Sequence, residues 1–72
     1  MSSVHSASYQ AFLKKFREAR VSAGLTQVQV ARKVGKRQSF ISKCESGERR
    51  VDFAELQAFA RLYKKPLSYF EG

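Results

Sequence analysis

The stretch from Thr26 to Gly47 leaves this chain few folding options. It opens on Thr26-Gln27-Val28-Gln29, a capping-box spacing. In that arrangement the threonine hydroxyl satisfies a free backbone N–H, and the glutamine three residues on reaches back to the cap. Val30, Ala31 and Val34 follow as an apolar stripe, and Gly35 stops the helix after about two turns. A further short helix, from about Gln38 to Ser46, turns Ile41 and Cys44 inward before Gly47 ends it. Two helices this short bury little by themselves, so they must cross each other and be covered by the rest of the chain.

The flanking sequence supplies that cover. From Tyr9 to Ala23 the positions Phe12, Phe16, Ala19 and Ala23 step by four, three and four, the period of one helical face. Gly24 closes that helix, and Leu25, apolar within a connection, is expected to plug back into the core. Beyond the loop Glu48-Arg49-Arg50-Val51, Asp52 and Glu55 repeat the capping-box spacing. The helix they open carries Phe53, Leu56, Phe59, Ala60 and Tyr63 on one face. Pro66 disfavours a helical residue before it and starts a last turn holding Leu67, Tyr69 and Phe70. The expected fold is all-α: four helices and a C-terminal turn over residues 9–72, after a flexible, Ser-rich N-terminal segment, residues 1–8.

Composition removes several alternatives. With one cysteine, Cys44, and one histidine, His5, there is no internal disulfide and no four-ligand zinc set. Neither a metal nor a cofactor is expected, and Cys44 reads as a small buried hydrophobe suited to a reducing cytoplasm. No apolar run approaches the ~20 residues needed to cross a bilayer, and no secretory leader is visible. No phosphate loop or nucleophile elbow occurs, and His5 lies in the polar N-terminal segment, so no enzyme activity is expected. The charge is far from balanced: 14 Lys and Arg against 6 Asp and Glu give a net +8, which calls for a polyanionic partner.

Two short helices joined by a tight glycine turn are the helix-turn-helix arrangement, whose second helix enters the DNA major groove. Ala31 is small where the helices cross, and Val34 and Ile41 pack beneath the crossing. Gly24-Leu25-Thr26-Gln27, Val30-Ala31, Val34-Gly35, Ser39-Phe40-Ile41-Ser42-Lys43-Cys44-Glu45 and Gly47 together resemble the lambda-repressor-like (Cro/CI-type, Xre-type) DNA-binding domain. The resemblance runs from about Phe12 to Phe70. It implies a compact five-helix fold, DNA binding through the third helix and transcriptional regulation. Free-standing domains of this size in the family include phage repressors, restriction–modification controllers and antitoxins. Three positions depart from the family pattern: Arg37 replaces a Ser or Thr cap, Cys44 a Leu or Ile, and Val51 a Pro. The family also implies an internal pair between Arg20 and Glu45, a structural role that withdraws Arg20 from the DNA contacts.

Seven of the basic residues fall between Arg32 and Arg50, on the motif and its exit loop. Contacts to DNA divide into phosphate anchors and base readers. Gln27, at a helix start where free N–H groups favour an anion, is expected to anchor phosphate with Lys36, Arg37, Arg49 and Arg50. Gln38, Ser39, Ser42 and Lys43 face outward on the third helix and carry the donors and acceptors that read base edges. Phe40 is left open between an extra core residue and a contact to a thymine methyl. Five of the nine aromatics fall in the last twenty residues, more than so small a domain is expected to hide. Phe59, Tyr63, Leu67, Tyr69 and Phe70 are therefore expected to form a homodimer interface that sets two third helices on a pseudo-palindromic operator. No small-molecule ligand or membrane is expected. The alternative is an antitoxin or adaptor that captures another protein through the aromatic C-terminus.

Overall fold

A computed structural model describes residues 6–71, so the expectations for residues 1–5, His5 included, lie outside the described residues. Four α-helices, α1 (Ala7–Ser22), α2 (Gln27–Val34), α3 (Gln38–Ser46) and α4 (Phe53–Tyr63), lead to a 3-10 turn at Leu67–Phe70. No strand occurs among the described residues. The fifth helix of the expected fold is this short 3-10 turn.

Helix α1 begins two residues before the expected Tyr9, because Ser6 caps it by accepting from the Tyr9 N–H at 3.1 Å. Leu13, Phe16 and Ala19 are buried and Phe12 packs against them, whereas Ala23 is exposed beyond the helix end. The buried arc is wider than the single stripe because α1 is covered by α3, α4 and the C-terminal turn together. Both capping boxes form. Thr26 Oγ1 accepts from Gln29 N–H at 3.1 Å while Gln29 Oε1 accepts from Thr26 N–H at 2.9 Å, and Asp52 and Glu55 do the same at 2.8 and 3.0 Å. Leu25 packs against the core as expected.

Gly35 makes the turn between α2 and α3 at φ 70°. A Cβ there would meet nothing within 4 Å, so any side chain is opposed by the backbone conformation alone. The turn brings α2 and α3 into the most extensive helix–helix contact of the fold, with Ala31 beneath it and Val30 and Ile41 fully buried. Helix α4 ends differently from the expectation based on Pro66. Lys64 itself takes the left-handed conformation, φ 59°, and the Lys65 N–H returns to the Ala60 carbonyl at 3.0 Å.

Aromatic rings fill the space between α1, α4 and the terminal turn. Phe16 meets Phe59 edge-on with centroids 5.0 Å apart, Phe59 stacks on Tyr63 at 5.9 Å, and Phe12 reaches Phe70 at 6.2 Å. This corrects the expected dimer surface: Phe59, Tyr63 and Phe70 are core residues of the single chain, each at most 4% exposed. Only Leu67 and Tyr69 of that set remain half-buried. The terminal turn folds back over α1, and this closure hides more ring surface than the length of the chain suggests. Phe53 is corrected in the opposite sense. It begins the apolar stripe of α4 yet is 64% exposed, and burial sets in only at Leu56. Periodicity marks a face of a helix but not how far along that face its neighbours reach.

The Tyr63 hydroxyl is buried without a protein partner, and desolvation raises its pKa above the ordinary tyrosine value. A buried hydroxyl that makes no hydrogen bond costs free energy. Tyr63→Phe is therefore expected to leave Tm unchanged or raise it by a few degrees, on the order of 1 kcal/mol. Thermal unfolding followed by circular dichroism tests this, and a loss of several degrees would contradict it.

Candidate nucleic-acid interface

Helix α3 turns Ile41 and Cys44 inward and presents Ser39, Lys43 and Ser46 outward, with Ser42 half-exposed at the edge of that face toward Glu45. Burial raises the Cys44 thiol pKa, as befits an inert packing residue. Arg37 occupies the N-cap of α3 and makes no side-chain capping bond, which leaves its guanidinium at the start of the helix.

A hydrogen-bonded relay crosses three helices behind this face. Arg20 of α1 grips the Glu45 carboxylate through Nε at 2.6 Å and Nη2 at 3.1 Å, and donates a third bond to the Leu25 carbonyl at 2.9 Å. The Arg20–Glu45 pair implied by the family resemblance is thus formed, with the Glu45 side chain only 4% exposed. The hydrogen bonds that Arg20 donates to Glu45 raise the guanidinium pKa further. Gln27 Nε2 donates to Glu45 Oε1 at 3.0 Å, and Gln38 Nε2 donates to Gln27 Oε1 at 2.7 Å. The Gln27 side chain, at the helix start expected to anchor phosphate, is a link in this relay. It fixes the orientation of the Gln38 amide, which keeps its own oxygen and one N–H for another partner.

On the other flank of α3 lies a groove of about 630 Å³, lined by Lys36, Arg37, Lys43 and Arg49 with Ser39 and Phe40. Phe40 packs against the core and also lines the groove. Lys36 Nζ lies 5.1 Å from its ring centroid and the Arg49 guanidinium 4.7 Å. Arg49, expected as a phosphate anchor, is already engaged by a carboxylate. Its two terminal nitrogens hold both Glu55 oxygens at 2.8 and 2.9 Å, and one also donates to the Arg50 carbonyl at 2.9 Å. A bidentate carboxylate is the geometry a guanidinium favours, so Arg49 braces the exit loop against α4 with its charge balanced. Arg50 lies with its guanidinium 4.3 Å from the Tyr9 ring centroid, while the Tyr9 hydroxyl accepts from the Val51 N–H at 3.1 Å. Tyr9 and Glu55 are the residues that sequence reasoning missed. Their partners lie 42 and 6 positions away across loops, where no helical period points from one to the other.

The site therefore has an exposed face of hydroxyl, amide and ammonium groups, a basic groove beside it, and a rigid internal support. No group of acidic, cysteine and histidine side chains suited to a metal occurs among the described residues. No described helix is long and apolar enough to cross a membrane.

A family model for helix-turn-helix proteins matches residues 16–70. The chain belongs to this family, in its lambda-repressor-like (Cro/CI-type) form, a family of DNA-binding transcriptional regulators. Searches of curated proteins and of solved structures gave no significant match.

Two predictions follow from the ion pairs. Removing Arg20 strands the Glu45 carboxylate, so Arg20→Ala should destabilise the fold by about 3 kcal/mol and lower Tm by roughly 10–20 °C. An unchanged Tm would show that the relay carries no such load. The Arg49 guanidinium holds the Glu55 carboxyl below the usual carboxylate range. A depressed folded value means that this stabilisation is present above the ordinary pKa of 4.5 and is lost as pH falls through the lowered value. Glu55→Gln keeps the helix cap and removes the charge. It should lower Tm at neutral pH, and the gap to the parent chain should close in acid.

Proposed function

We propose that this chain is a sequence-specific transcriptional regulator that seats α3 in the DNA major groove. The observation that carries the reading is the outward face of α3, with Ser39, Ser42 and Lys43 beside the tethered Gln38, flanked by a groove that Lys36, Arg37 and Lys43 make basic. A glutamine amide reads adenine, a lysine reaches guanine O6 and N7, and serines accept either partner. Lys36, Arg37 and Arg50 are the phosphate anchors of this reading, and the backbone N–H groups at the start of α2 add a further contact beside Gln27. Arg49 holds the exit loop in place for Arg50.

Two copies act together on a pseudo-palindrome in this proposal, with their α3 helices about one DNA turn apart, ~34 Å. The DNA itself brings them together. Each chain carries a net +8, and Tyr69, on the surface left for self-contact, lies under the ammonium groups of Lys15 and Lys65 at 5.1 and 4.7 Å. Like charges meeting across a two-fold axis oppose pairing until a polyanion neutralises them. The rival reading, capture of another protein through an aromatic C-terminus, retains only exposed Phe53 and half-buried Tyr69 of the rings on which it rested.

Selection of bound sites from a random duplex pool tests the proposal. It should return two half-sites in inverted repeat, and the selected duplex should bind at least ~1,000-fold tighter than random DNA. Lys43→Ala should relax the preference at one base pair per half-site, whereas Arg37→Ala should weaken all duplexes alike. Sedimentation should find one chain free in solution and two on the selected duplex. A specificity ratio near one would reduce the protein to a non-specific polyanion binder.

A further inference from the structure

The basic groove beside Phe40 serves only one flank of α3. At ~100° per residue the outward face centres between Ser42, Ser46 and Ser39, with Phe40 and Lys43 toward one edge and Glu45 toward the other. On the Glu45 edge lies a second groove, of about 360 Å³, lined by Gln10, Leu13, Lys14 and Arg17 of α1 and by Glu45 and Ser46 of α3. Gln10, Lys14 and Arg17 recur at the four- and three-residue spacing of one helical face, so α1 aims them together along this groove. Lys14 and Arg17 are exposed, and neither is ion-paired among the described residues. The one acidic side chain in the lining does not oppose an anion, because the Glu45 carboxylate is buried and already compensated by Arg20 and Gln27.

We infer that Lys14 and Arg17 form a second phosphate-binding site, on α1, that grips the DNA strand opposite the one held by Lys36 and Arg37. The inference rests on the DNA reading above and deepens it. A helix with its side chains is ~10–12 Å across and the major groove is ~12 Å wide, so a seated helix meets one phosphate backbone on each flank. The groove beside Phe40 supplies cations to one backbone, and the α1 groove supplies them to the other. Gripping both strands fixes the depth and roll of α3, which a contact on one flank leaves free. Half-site affinity thus depends on a helix outside the helix-turn-helix itself.

The test measures binding of the full chain to its selected duplex across a salt series. Lys14→Ala/Arg17→Ala should make the plot of log affinity against log salt shallower by about 2 and weaken binding at least ~10-fold near 0.1 M salt. The preferred bases and the Tm should stay unchanged, since both side chains are exposed. Arg61→Ala/Lys65→Ala removes the same charge from the end of α4 and should leave the slope as it is. Equal loss in the two double variants would show that charge acts diffusely, and no loss in the α1 variant would show that α1 stands clear of the backbone. Either result overturns the site while leaving the α3 reading intact. Failure of the parent chain to prefer its selected duplex would instead overturn the DNA reading, and this site with it.

Discussion

The placement of α3 against α1 and α2 depends on one buried carboxylate. Glu45 sits near the end of α3 with its side chain only 4% exposed, and Arg20 and Gln27 reach its carboxylate from α1 and α2. A buried charge is tolerable only when fully partnered, and this partnership admits one relative placement of three helices. The same carboxylate orients Gln27, which orients Gln38, so the position of an exposed amide at the start of α3 is set by an ion pair two residues upstream in the relay.

The remaining cations differ in how far they are committed. Arg20 and Arg49 are held by carboxylates and act as braces. Arg50 leans on Tyr9, and Lys36 lies near the Phe40 ring, partly committed contacts that limit where the charge can go. Arg37, Lys43, Lys14 and Arg17 border open grooves. The net charge alone does not separate these groups, and their sorting turns a uniformly basic chain into one with a directed face.

Much of the fold was legible because it rests on local chemistry. Thr26 and Asp52 with their glutamine and glutamate partners, the glycine at Gly35, and the three-residue step from Ile41 to Cys44 each encode their outcome within a few residues. The family pattern added the Arg20–Glu45 pair. What failed to read through were extents and long-range partners. Phe53 belongs to an apolar stripe yet is uncovered, and Phe59, Tyr63 and Phe70 were offered to a second copy although the single chain buries them. Arg49 looked like a free cation because Glu55, six residues on, is brought to it only by the bend of the exit loop.

By itself, then, the amino-acid order determined where helices start, stop and turn, and which face of α3 points outward, because caps, glycines and helical period act over single turns. Tertiary structure alone decided which aromatics close the core, which cations are spent on carboxylates, and that α1 places Lys14 and Arg17 beside the reading helix. Those outcomes depend on distances between residues far apart in the chain, and such distances exist only once the helices have packed.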